Sequence, residues 1–400
     1  MESLYQLYKI GHGPSSSHTM GPEAACKYVL NNYKNMTKAV VTLYGSLALT
    51  GKGHLTDYII YKTLESIEVE IKFNYYDECK HPNTMKFELY NAKNELLDTV
   101  TVYSIGGGSI EIEGGNVKYE VEHVYPFNSF EEIKKYCKDN NMSLVDVVYK
   151  FDLKGIKEHL ENVFEVMRNA IKEGLAMEGE LPGGLHVLRK ANQLYESVTF
   201  NESDSFKQLK FVSGYAFAVS EQNASGGLIV TAPTCGACGV LPAVLFFLHR
   251  QCNVSKEKLI DALAVAGIIG NVIKTNASIS GAFAGCQAEV GSACSMAAAA
   301  VAYIHGQNID EIEYAAEIAL EHHLGLTCDP INGLVQIPCI ERNAVAALRA
   351  IDAANLAKVL KGTRKISFDT VVKTMLETGK DLNENYRETS VGGLAKNYNQ

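Results

Sequence analysis

No apolar run in this 400-residue chain approaches the ~18 residues that a membrane-spanning helix needs; residues 262–269 are among the longest and fall well short. Positive charge is not in excess either. Thirty-seven Lys+Arg against 46 Asp+Glu leave a net charge of -9, which argues against a general polyanion-binding face. The opening MESLYQLYKIGHGP carries Glu2 and no long apolar stretch, so it does not read as a secretory signal. An intracellular, cytoplasmic, soluble protein with no membrane and no nucleic-acid partner is the expectation. Cysteine is too scarce, at ten residues, to staple a chain of this length. The single CxxC, Cys235 and Cys238, has no second pair and no following histidine at a common zinc spacing. A Rossmann glycine fingerprint is also missing, so dinucleotide redox chemistry has no support.

What is present is an ordinary folded composition, 46% hydrophobic and 21% charged. At ~150 residues per domain the length suggests two or three domains. The first part has mixed texture. Residues 22–33 read as a short helix, and KAVVTLY at 38–44 as a strand running into a glycine-rich loop, GSLALTGKGHLTD. Further strand signal covers 67–73, 85–90, 98–105 and 110–122, and PFNSFEEIKKYCKDNN reads as a helix capped by Asn128 or Ser129. Beyond about residue 155 the chain turns to helix-length segments rich in Ala, Leu, Ile and Val, including 259–273, 292–304, 312–322 and 339–359. The fold class expected is α+β: a small N-terminal α/β domain over 1–150, then a mostly all-helical catalytic domain over 158–400.

Four stretches carry chemistry. GHGPSSSHTMGPE gathers Ser15, Ser16, Ser17, His18 and Thr19 between Gly-Pro pairs, a loop whose hydroxyls and backbone N–H groups suit a carboxylate or phosphate. GKGHLTD places Lys52, His54 and Asp57 just past a strand end, where ligand loops sit, although its spacing is not that of a phosphate loop. The lone CxxC is weak evidence of anything. The strongest signal is Cys286 and Cys294 in a small-residue segment, with Cys328 before Asp-Pro and Cys339 after Pro at chain turns. Three thiolates make a partial shell for an iron–sulfur cluster or a zinc ion and leave one position open for substrate.

The motifs GPSSSHTMGP, YGSLALTGKGHLTD, LPGGLHVLRKA, NASISGAFAGCQAEVGSACSMAAA, EHHLGLTCDPINGLVQIPCIERNA and TGKDLNENYRETSVGGLA together resemble the iron–sulfur-dependent L-serine dehydratases, in a form with the beta-type and alpha-type regions fused. The resemblance runs nearly end to end. It implies a small α/β domain ahead of a helical catalytic domain, a homodimer, and a [4Fe–4S] cluster held by Cys294, Cys328 and Cys339. It further implies that the SSSHT segment meets the substrate carboxylate and that His54 joins the site; Asn276 is counted with the substrate-binding residues. Two departures stand out: Cys235 where the family commonly has Asn, and Phe283 where an acidic residue is usual. The activity implied is elimination of water from L-serine to give pyruvate and ammonia, with a small amino acid as substrate. His54, His18 and Lys274 are the candidate bases. A related cysteine or threonine lyase, or a non-catalytic cluster or zinc sensor, are the competing readings.

Overall fold

A computed structural model describes residues 1–114, 123–197 and 201–398. Seven strands are present among them: β1 (Ile10–His12), β2 (Lys38–Tyr44), β3 (Glu68–Asn74), β4 (Thr84–Tyr90), β5 (Leu96–Gly106), β6 (Ser109–Ile112) and β7 (Leu228–Val230). The strand expected over 110–122 is seen only to its start, because 115–122 lie outside the described residues. The helices of the first part are α1 (Gly21–Asn32), α2 (Gly45–Thr50), α3 (Thr56–Thr63), α4 (Phe130–Asn140) and α5 (Leu144–Phe151). Then follow α6 (Ile156–Ala176), α7 (Ala191–Glu196), α8 (Asp204–Ala224), α9 (Val240–Gln251), α10 (Lys256–Asn276) and α11 (Gly281–Ala284). The last are α12 (Ser292–Ile304), α13 (Ile309–Glu321), α14 (Cys339–Val359), α15 (Phe368–Asp381) and α16 (Gly393–Asn397). Strands followed by a large helical region make this an α+β protein, as the sequence texture indicates.

The sheet has the order β3-β2-β4-β5-β6. Strand β2, next to the β3 edge, pairs in parallel with β3 and antiparallel with β4. A parallel pair needs a crossover, and here α2, the Gly51–His54 turn and α3 supply it. Where the sequence suggested only a loop in GSLALT, the chain forms the short helix α2; Gly45 turns into it with φ 54. His54 is thereby delivered at the C-terminal end of β2.

Two large apolar cores carry the fold. The smaller packs Ala25, Val29, Ile60 and Leu64 of α1 and α3 and its end against Val41, Leu43 and Phe87 of the sheet. The larger is helical and centres on α12, whose Ala297–Ala300 run is fully buried between neighbouring helices. Helix α10 is long and apolar enough for a membrane span, but 78% of that window is buried inside the fold. A helix apolar on every side is a core helix in such a setting. The cores do not divide near residue 150. Leu4, Leu7, Tyr8, Phe130, Ile133, Val147 and Val148 all belong to the helical core, and β1 pairs with β7 from the helical region. The reason is amphipathic pattern: α4 and α5 present their apolar faces to α10 and α15, not to the sheet. Ser129 caps α4 by accepting from Glu132 N at 3.2 Å.

Candidate active site

The chain enters the site through β1 and then makes one π-type turn, Ser16–Met20, before α1. Such turns widen a helix locally and recur at functional sites. Ser15, Ser16, Ser17, His18 and Thr19 are all buried. Two threonines clasp this turn to the His54 loop. Thr19 Oγ1 donates to the His54 carbonyl at 2.7 Å, and Thr56 Oγ1 donates to the His18 carbonyl at 2.5 Å. The two imidazoles lie with ring centres 4.4 Å apart.

The hydrogen bonds assign both tautomers. His54 Nδ1 lies 3.1 Å from the Thr50 carbonyl, which can only accept, so Nδ1 carries the proton and Nε2 the lone pair. Ser46 spends its hydroxyl proton on the Glu388 carbonyl at 2.7 Å. His18 Nε2, 3.0 Å from Ser46 Oγ, must therefore donate, leaving the lone pair on Nδ1. Both lone pairs face one atom: Glu388 Oε1 lies 3.4 Å from His18 Nδ1 and 3.8 Å from His54 Nε2. Burial holds His54 down at about 4 and His18 below its ordinary value, while it pushes the Glu388 carboxyl up. Burial thus favours the neutral form of all three groups. Their ligand atoms lie within 4.8 Å of one another, a set that could also hold a metal ion. Leu55 and Glu388 both adopt left-handed backbone, φ 57 and φ 58, a conformation costing roughly 1–2 kcal/mol for a residue with a Cβ.

Opposite this wall lie the cysteine loops. A narrow cavity is lined by Ser15, His54, Cys286, Glu289, Cys328, Cys339, Arg342 and Glu388, among others. Cys286 and Cys328 share a hydrogen bond that brings the Cys286 thiol down to about 7 and raises Cys328; burial raises Cys339. Glu289 is buried beside them and pushed up to about 8 by desolvation. Gly281 makes room: a Cβ there would sit 2.6 Å from Glu289 Oε2 and 3.2 Å from Cys328 Sγ. The 386–394 strap holds the Cys328 loop from outside. Cys328 N donates to the Tyr386 carbonyl and Glu388 N to the Cys328 carbonyl, each at 2.8 Å. Arg342 donates to the Thr327 carbonyl at 2.6 Å and to Asp329 Oδ1 at 3.1 Å. The two walls meet at Gly53, where a Cβ would lie 2.8 Å from the Gly333 carbonyl.

The sequence-based site is therefore partly assembled and partly rearranged. Ser15, His18, His54, Cys328 and Cys339 converge with the cavity or its histidine wall. Cys294 does not: it is buried on α12, its thiol donates to the Ala346 carbonyl at 3.2 Å, and Cys286 stands in the cavity instead. Lys274 is paired with Glu2 at 2.5 Å, and the Asn276 amide donates to the Asn128 and Val272 carbonyls at 2.6 and 2.9 Å, so neither lines the cavity. The Thr19 hydroxyl is committed to the clasp. Cys235 lies against Met20 Sδ at 3.4 Å, outside the lining, and Phe283 packs partly buried on the helical core. Glu289, Glu388, Arg342 and Ser46 were not picked out from the sequence. The signal was available for the acids, since each sits inside a glycine-rich motif, GCQAEVG and RETSVGG.

The serine dehydratase beta chain family matches residues 3–72 and the serine dehydratase alpha chain family residues 64–395. The chain is 40% identical to an L-serine dehydratase of Haemophilus influenzae, with 99% of each chain covered. It is 41% identical to L-serine dehydratase 2 of Escherichia coli, covering 99% of this chain and 98% of that one. An L-serine dehydratase of Helicobacter pylori is 39% identical over 98% of both.

Proposed function

This chain belongs to the serine dehydratase family, and from that premise we propose that it is an L-serine ammonia-lyase whose cavity holds a [4Fe–4S] cluster on Cys286, Cys328 and Cys339. Membership implies a metal cofactor. The donor set suits this one: three thiols line one cavity, and the Cys328 hydrogen bond lowers the Cys286 thiol toward its ionised form. When bound, such a cluster with one iron free of protein ligands supplies a Lewis acid for the β-hydroxyl of serine.

The chain's own residues do the rest. Ser15, the serine of the turn that lines the cavity, binds the substrate carboxylate; Ser16 and Ser17 follow it in the turn outside the lining. His54 takes the Cα proton on Nε2, the nitrogen that its bond to Thr50 leaves unprotonated. Loss of that proton and of the β-hydroxyl leaves 2-aminoacrylate, which tautomerises to the imine; water then releases ammonia and pyruvate. His18 positions His54 by ring contact and through the threonine clasp. The near-complete burial of both histidines keeps bulk water from competing for the lone pair. A cytoplasmic homodimer belongs to the same reading.

The observation that carries the proposal is the meeting of His54 and three thiols in one cavity. The experiment is anaerobic purification, iron and sulfide counting, then ammonia release from L-serine, L-threonine and L-cysteine. Four irons and four sulfides with serine as the best substrate are expected. Zinc in place of iron, or no ammonia from serine by the iron-loaded protein, would sink the proposal.

A further inference from the structure

A second depression opens where the end of α13 meets the start of α14, on the far side of Arg342 from the catalytic cavity. It is open to solvent and lined by His322 and His323 at the end of α13 on one side and by Arg342, Val345 and Arg349 of α14 on the other. Its polar groups are almost all cationic or basic. Arg349 makes no hydrogen bond or ion pair among the described residues. His322 and His323 each donate Nδ1–H to the carbonyl four residues back, Ile318 and Ala319, both at 2.7 Å. Each ring is thereby fixed with Nε2 as its free polar atom. Glu341 is the one acid in the lining, and it faces Lys190 at 3.7 Å. The remaining surface is apolar: Val290, Leu326 and Val345, the last 61% exposed.

We propose that this depression is a binding site for a small organic carboxylate with an apolar body. A guanidinium without a partner matches a carboxylate as a planar two-pronged donor. The apolar side chains beside it take the rest of the molecule out of water, a combination that inorganic anions do not use. The fixed imidazoles bound the ligand laterally. Arg342 lines both cavities and holds Thr327 and Asp329, the neighbours of Cys328, so an occupant is one side chain away from the loop of the catalytic cavity. Arg349 itself lines only the second depression.

The test titrates 3-methylbutanoate into the metal-loaded full chain by anaerobic calorimetry. Saturable binding to one site per chain is expected, at least ~10-fold weaker in Arg349→Gln. Arg349→Lys, which keeps charge and loses the fork, should fall between. Ser15→Ala, which alters only the catalytic cavity, should bind the probe as the wild type does. Inorganic phosphate should bind at least ~10-fold more weakly than the probe. Turnover of serine by Arg349→Gln without probe should match the wild type, which reports an intact fold. Undiminished affinity in Arg349→Gln, loss of binding in Ser15→Ala, phosphate binding as tight as the probe, or no saturation at concentrations on the order of 10 mM would each overturn the assignment.

Discussion

On the wall built from residues 15–19 and 46–56, polar atoms answer one another: threonine to carbonyl, imidazole to serine, serine to carbonyl. On the facing wall three thiols and the Glu289 carboxyl point into shared space, and their main partners are each other. The first arrangement fixes orientation before any ligand arrives. The second concentrates donor atoms that are costly to bury without one. A catalytic cavity uses both, because an acceptor of protons must be aimed while a ligand set must be left available.

The largest test of that contrast exchanges cysteines. Cys286→Ala should abolish bound iron and turnover together, whereas Cys294→Ala should keep both, since its thiol serves only the Ala346 carbonyl; iron and sulfide counts after anaerobic purification decide it. Next comes the aimed wall. His54→Gln should keep its iron and lose roughly 10²-fold or more in kcat, and unchanged kcat would remove His54 as the base. Thr56→Val leaves the buried His18 carbonyl without its donor, costing about 1–3 kcal/mol in urea unfolding, with kcat falling more than KM because it is aim that is lost. The last effect is in pH. His54 titrates at about 4 in the fold against 6.5 free, so the unfolded chain takes up the proton first. Its stabilising contribution is complete above pH 6.5 and is lost as pH falls toward 4. His54→Gln should flatten the slope of stability between those values; an unaltered slope would show that the burial does not perturb the ring.

The passage from strands to helices was legible because strand signal stops by about residue 122 and long Ala-rich segments dominate later. Helices 292–304 and 339–359 were placed to the residue, and the two histidine loops were found from their Gly, Ser and His content. Of two cysteines eight residues apart, the sequence reading chose Cys294, whereas it is Cys286 that lines the cavity. Cys294 faces the helical core in mid-helix, whereas Cys286 follows Gly285, whose φ of 72 ends α11 and turns the chain. Cysteine at a chain turn is the criterion that tracks the cavity, and applied evenly it points to Cys286. Lys274 and Asn276 failed for another reason: a polar residue near a helix end finds partners in the nearest loops, here Glu2 and Asn128. Pairing of β1 with β7, 220 residues apart at Ile10 and Val230, has no local trace, and neither has the route by which Glu388 reaches the histidines.

The seam at Gly53 has a further consequence. Backbone meets backbone there, with 2.8 Å between the missing Cβ and the Gly333 carbonyl, so the gap between proton acceptor and thiols is gauged by main chain alone. Side-chain substitution can reshape the cavity's lining, but it cannot narrow that gauge, and Gly53→Ala would act as a wedge that widens it. Selection for a longer or shorter substrate would have to work through loop length on either side of the seam, which makes insertions and deletions near 51–54 and 331–333, more than point changes, the places where relatives with other substrates should differ.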